Sequence, residues 1–274
     1  MPDKAVVATK PVISVRDLVV SYDGRRVLDG VNLDVPRGET MVLLGGSGSG
    51  KSTLLRQIIG LERPQSGQIL VNGMDFASCS PGELKKLRRS IGVAFQNSAL
   101  FNSMSVEDNI ALPLREHTRL PESTIRLMTW MKLAVVGLAE VGKLSPQALS
   151  GGMKKRAAVA RALSLDPEIL VFDEPSAGLD PIVAAELDEL ILGLKRAFDM
   201  TVVVVTHEMA SAYRIADRMA MLYKGSLIAV GTKDELRNSS HPRIRQFFDR
   251  VPDKIADTAT VDEHFRRYLE GSEM

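Results

Sequence analysis

Cysteine is almost missing from this sequence: Cys79 is the only one in 274 residues. A disulfide within the chain is therefore impossible, and a zinc cage built on thiolates is not expected. No sign of charge dominates either. Lys and Arg number 35 against 34 Asp and Glu, a net of +1, which argues against a nucleic-acid coat and against a polybasic membrane anchor. Long apolar runs are lacking as well. The longest stretch without a charge, Ser90 to Val106, holds Gln96, Asn97, Ser98, Asn102 and Ser103 and does not pass as a bilayer span. Lys4, Lys10 and Arg16 interrupt the start, so no signal peptide is expected. These absences point to a cytosolic protein whose role at a membrane would come through a partner. There is also no internal repeat and no low-complexity segment.

What is present is ordinary globular material, 45% apolar and 25% charged. Against a prior of about 150 residues per domain, the length allows one large domain or one domain with an inserted lobe. Val12 to Tyr22 and Val27 to Val35 are β-rich and flank an Asp23-Gly24 turn, which predicts an antiparallel hairpin. Thr40 to Leu44 is a short apolar run that leads into a glycine-rich loop and then the helix-like Lys51 to Ile59. Ile91 to Phe95, Ile169 to Phe172, Thr201 to Val205 and Met219 to Tyr223 are further continuous apolar runs, the pattern of strands covered on both faces. The expected fold is therefore α/β, with a mostly parallel core sheet and an antiparallel β-subdomain. Pro181 to Phe198 should be a helix opening on Asp180. Residues 105–162 carry helical periodicity without a convincing strand and predict an inserted helical lobe. Residues 1–240 form the main domain on this division, and 241–274 a helical extension with pieces at Pro242 to Arg250 and Asp262 to Glu270.

Gly45-Gly46-Ser47-Gly48-Ser49-Gly50-Lys51-Ser52, followed by Thr53, fits G-x-x-x-x-G-K-[ST] where a strand hands over to a helix. The glycines let backbone N–H groups converge on phosphate oxygens, and the helix N-terminus adds positive charge. Lys51 should reach the β- and γ-phosphates and Ser52 should offer its hydroxyl to Mg²⁺. Ile169 to Phe172 then ends in Asp173-Glu174. Asp173 is placed to hold Mg²⁺, and Glu174 to act on the attacking water as base or orienting group. Two adjacent carboxylates favour hydrolysis over storage of the nucleotide. His207 and Gln96 follow strands that end on the same rim; taken alone, each would more often be a simple loop residue. No Asn-Lys-x-Asp occurs, so adenine is the default base and ATP the expected nucleotide.

A second anion-ready helix start follows. Leu149-Ser150-Gly151-Gly152 precedes a helix from Met153 to Leu163. This sequence resembles the signature motif of ABC-transporter ATPases. The resemblance covers about residues 12–240, with the other motifs in order. It implies that Tyr22 stacks on adenine, that Gln96 senses Mg²⁺ and the attacking water, that Ser176 to Asp180 forms the loop between paired copies, and that His207 is the switch histidine. It implies too that two copies pair head to tail, each ATP lying between one copy's phosphate loop and the other's Ser150, Gly151 and Gly152. Met153 departs from the glutamine usual in the family and cannot donate a hydrogen bond.

The basic residues after Met153, with Arg245-Gln246-Phe247-Phe248 and Pro252-Asp253, resemble the Mla branch of bacterial lipid-asymmetry transporters. That resemblance implies an inner-membrane permease dimer, an MCE-domain lipid-binding partner, a small STAS-domain partner, and a place on the cytoplasmic side of the inner membrane. It implies an ATP-hydrolysing subunit that moves phospholipid, with no nucleic-acid partner. A cell-division-type regulatory complex and a small-solute importer are the alternatives. A ribosome or DNA factor would usually carry both ATPase copies in one chain, whereas each motif occurs once here.

Overall fold

The computed structural model describes residues 10–252; the helical piece expected at Asp262 to Glu270 lies outside them. The hairpin of β1 (Ile13–Tyr22) and β2 (Arg25–Val35) is antiparallel about a two-residue turn. Asp23 and Gly24 there both take positive φ, 49° and 76°, the geometry that matches strand twist. Alternation buries Ile13 and Val15, then switches to Leu18 and Val20. The switch falls at a register shift beside Asp17, whose φ is 45°, so a bulge turns the strand by one residue.

β3 (Thr40–Leu44) is buried at every position and leads to α1 (Lys51–Ile58). β4 (Ser66–Val71) and the two-residue β5 (Met74–Asp75) extend the hairpin to a four-stranded sheet of order β2-β1-β4-β5. α2 (Pro81–Arg89) starts on a capping box between Ser80 and Glu83 and delivers the chain to β6 (Ile91–Ala94). The next segment contains α3 (Val106–His117), α4 (Glu122–Val135), two 3₁₀ turns and α5 (Gly151–Ala162), with no strand. It has a small apolar cluster of its own, Ala111, Leu114 and Ile125. The chain returns through β7 (Ile169–Asp173), α6 (Pro181–Phe198), β8 (Thr201–Val205), α7 (Met209–Ile215), β9 (Arg218–Tyr223), β10 (Ser226–Thr232) and α8 (Lys233–Arg237).

The second sheet has the order β10-β9-β3-β8-β7-β6 and is parallel except for the β9–β10 pair. The main core joins the inner faces of both sheets through Leu54, Leu55 and Ile58 of α1, against residues such as Leu18, Leu43, Val171 and Val205. This clamps the helix that follows the glycine loop between two layers. The fold is thus α/β with a mostly parallel sheet, an antiparallel β-subdomain and an inserted helical segment.

One detail differs from the sequence expectation. The signature helix opens at Gly151 and not at Met153, because Ser150 is itself the cap and its Oγ accepts from Met153 N at 3.3 Å. Both glycines therefore lie in the first turn. The chain divides into two compact units at Leu236/Arg237. In the second unit α9 (Pro242–Phe248) is capped by His241, whose Nδ1 accepts from Arg243 N at 3.3 Å, and Phe247 and Phe248 meet edge to face at 6.4 Å.

Candidate nucleotide site

All the strands that run parallel to β3 end on one rim, and the loop from Gly45 to Gly50 leaves the end of β3 there. Gly50 is the N-cap of α1 with φ 105°, and a Cβ on it would sit 2.7 Å from Leu28; only glycine fits this left-handed corner. Gly46, Ser47 and Gly48 are exposed, while Gly45, Ser49 and Gly50 are buried. Lys51 is buried, and its Nζ donates to the carbonyls of Gly45 at 2.8 Å and Gly46 at 3.0 Å. Burial pulls its pKa below the usual lysine range, opposed by the nearby Glu174 and Asp173. Ser52 is exposed in the first turn, and Thr53 is half-buried beside it.

Asp173 closes β7 and Glu174 follows it in a left-handed conformation, φ 46°. This is an uncommon state for a non-glycine residue, held by the bond from Glu174 N to Val205 O at 2.8 Å. The turn aims the Glu174 side chain along the rim to β8. There Oε1 lies 2.9 Å from His207 Nδ1, and Oε2 accepts from His207 N at 3.4 Å. A carboxylate only accepts, so the contact selects an imidazole protonated at Nδ1. Burial raises the Asp173 pKa and Glu174 raises it further, while Arg56, Lys155 and Lys51 oppose both.

The residues fit a magnesium nucleotide. Asp173 Oδ1 and Ser49 Oγ are buried with no hydrogen-bond partner, and the Lys51 ammonium is hydrogen-bonded to neutral carbonyls. A cation beside Asp173 and phosphate oxygens beside Lys51 would satisfy groups that burial otherwise penalises.

The other expected residues are distributed around this centre. Tyr22 is exposed, and its hydroxyl donates to Glu62. That bond raises its pKa, and Thr53 and Arg56 of α1 also act on the hydroxyl. Gln96 has an exposed side chain just beyond β6. Asp180 caps α6, its Oδ1 accepting from Ile182 N and Val183 N at 3.1 Å each. Gly151 and Gly152 lie against Leu179 and Val183, so the signature turn packs on the start of α6. Ser150 is exposed at the cap. Among the described residues no hydrogen bond joins Ser150, Gly151 or Gly152 to the phosphate loop of the same chain.

Two cations on α5 were not among the expected site residues. Lys155 Nζ donates to the carbonyls of Gln96 at 2.6 Å and Glu174 at 3.1 Å. Arg161 donates to those of Ala99 at 2.5 Å and Ser98 at 3.0 Å, consecutive residues that both have positive φ. Helical spacing puts Lys155 on the buried face with Ala158 and Val159, and a lysine in such an apolar stripe was the available signal.

A glycine loop on a mostly parallel sheet, an acid pair on a neighbouring strand and a second helix N-terminus define a P-loop nucleotide-binding protein. The chain belongs to the ABC transporter family, whose model matches residues 28–177. It is 46% identical over 237 residues to "Probable ribonucleotide transport ATP-binding protein mkl" of Mycobacterium leprae, covering 86% of this chain and 68% of that one. It is 41% identical over 242 residues to "Intermembrane phospholipid transport system ATP-binding protein MlaF" of Escherichia coli K12, covering 88% of this chain and 90% of that one. Among solved structures, a dimeric ATP-binding cassette in a post-hydrolysis state with ADP and phosphate superposes with a TM-score of 0.74. It is 31% identical and covers 80% of this chain and 98% of its own.

Proposed function

We propose that this chain is the ATP-hydrolysing subunit of a membrane transporter that moves phospholipid, working as a head-to-tail pair. The observation that carries the reading is the cluster of Lys51, Asp173, Glu174 and His207 on one rim, held by strands of one sheet. The similarity to MlaF over nine tenths of that protein's length supports the lipid cargo.

In this reading residues 45–53 cradle the phosphates through backbone N–H groups, Lys51 neutralises the β- and γ-phosphates, and Tyr22 faces adenine. Ser52, Asp173 and Gln96 would hold Mg²⁺. When bound, that ion neutralises charge developing on the transferred phosphoryl group. Glu174 accepts a proton from the attacking water, and His207 keeps its carboxylate aimed and contacts the γ-phosphate side of the site. Ser150, Gly151 and Gly152 bind the partner copy's ATP through the α5 N-terminus. Asp180, spent on capping α6, sets the loop between the copies. Catalysis is then positioning plus fixed charge. Residues 1–240 act as the ATPase domain with the lobe at 105–162 inserted, and residues 241–274 as an extension.

Among the described residues no helix is long and apolar enough to cross a membrane. A permease dimer therefore supplies the path, with MCE-domain and STAS-domain proteins as further partners, on the cytoplasmic side of the inner membrane. The name of the mycobacterial relatives favours a second cargo, ribonucleotides. Purification of the assembly in mild detergent separates the two. Bound phospholipid, and ATP-dependent lipid movement after reconstitution, are expected; ribonucleotide uptake without lipid movement would replace the first reading.

A further inference from the structure

Lys155 belongs to the signature helix but its ammonium sits on the other side of the molecule's chemistry. It is 8% exposed. Its Nζ bridges the carbonyl of Gln96, two residues past β6, and that of Glu174, one residue past β7. Those strands are neighbours in parallel register, Ala94 opposite Phe172, so the ammonium closes the gap where the two chains leave the sheet. Glu174 is in the left-handed region; its N–H is tied to Val205 O across the sheet, and its carbonyl accepts from Ala177 N at 3.3 Å as well as from Lys155. A buried cation between two carbonyls is a directional tie, since each bond is charge-assisted. Burial opposes its charge and the Asp173 and Glu174 carboxylates support it. Lys51 and Arg56 from α1 and His207 beyond β8 face the same acid pair, so Lys155 is the one cation reaching it from α5.

We propose that Lys155 is a positioning residue that fixes the Glu174 and Gln96 backbones to the signature helix, so that the seating of Ser150 on the partner's ATP sets the aim of this copy's own hydrolytic groups. The inference rests on the ATPase reading above. Ser150 caps the same helix about one and a half turns earlier, tied into it by the bonds from Met153 N to its Oγ at 3.3 Å and from Lys154 N to its carbonyl at 2.9 Å. Beyond Lys155 the helix is anchored by the buried Ala157 to Ala160. Motion at one nucleotide is thereby carried to the water-activating side of the other. Lys155 touches neither nucleotide in this arrangement and acts through the two carbonyls.

The test compares steady-state hydrolysis by purified full-length chain and its K155M, K155Q and K155R variants, with a fluorescent ATP analogue for binding. K155M removes both bonds and keeps the bulk of the stem. It is expected to lower kcat at least tenfold while KM and analogue affinity stay within threefold, and to bring the Hill coefficient for ATP towards one. K155Q should behave alike, and K155R, which keeps a charged donor, should recover kcat to within threefold of wild type. A folded K155M or K155Q with unchanged kcat and cooperativity overturns the proposal. So does a set in which KM rises with kcat unchanged, or in which K155R fails as badly as K155M or every variant unfolds, since each assigns the lysine to binding or to packing alone. Wild-type chain that binds the analogue and never hydrolyses ATP would instead refute the ATPase reading itself.

Discussion

In the proposed mechanism Lys51 and Glu174 carry opposite parts of the chemistry, and their substitutions should separate. Lys51→Ala removes the buried ammonium now bonded to Gly45 and Gly46. Charge-assisted bonds are worth about 1.5–3 kcal/mol, so ATP affinity should fall by roughly tenfold or more, read by titration with a fluorescent analogue; unchanged affinity would remove Lys51 from the phosphates. Glu174→Gln keeps the shape and loses the base. Turnover should drop by about 10²–10⁴ with affinity intact, and near wild-type hydrolysis would release Glu174 from its role. Much at this scale was legible, because a glycine loop and an acid pair are local patterns. The left-handed φ of Glu174 was not, since it depends on the bond to Val205 across the sheet. Nor was the reach of Lys155, which needs the fold to bring Gln96 beside Glu174.

At the scale of elements, β6 and α5 touch at Gly92. A Cβ there would sit 2.3 Å from the Ala162 carbonyl and 2.9 Å from Pro167. Gly92→Ala should push the signature helix off the sheet at a cost of about 1–3 kcal/mol, seen as a lower urea midpoint; an unshifted midpoint would mean that the helix yields freely. α6 and α7 meet over Asp188, which is 4% exposed, with Oδ1 lacking a partner. Burial lifts its pKa above the usual aspartate value, while a bond with Ser211 opposes this. The folded state therefore holds a proton that the unfolded state has released, and stability falls as pH rises from the unfolded carboxylate value through the raised one. Asp188→Asn should flatten that slope on the alkaline side of the ordinary carboxylate range in denaturant titrations; an identical slope in the variant would place the proton elsewhere. Legibility followed apolar pattern here. α6 was plain from Asp180-Pro181 and its long periodic face. In contrast α2 buries only Leu87 and β4 only Ile69 and Val71, so neither shows a stripe that marks an element.

At the scale of the whole molecule, the proposed pairing has each chain supply half of each site. The phosphate loop, acid pair and His207 lie on one rim, while Ser150 is exposed at the head of α5 with no bond to that loop among the described residues. An exposed anion-binding helix start and a phosphate loop lacking its second wall are complementary if two copies face each other in opposite directions, and a relative of the same fold is a dimer. Among the described residues no helix is long and apolar enough to cross a membrane, and the proposed assembly assigns the cargo to other subunits. The direct measurement is the sedimentation of Glu174→Gln chain with and without ATP, together with the nucleotide retained. A shift from one copy to two on adding ATP, with two ATP held per pair and no shift when Lys51 is also replaced by Ala, is the predicted result. A Glu174→Gln chain that binds ATP and stays a single copy at every concentration would contradict the paired site.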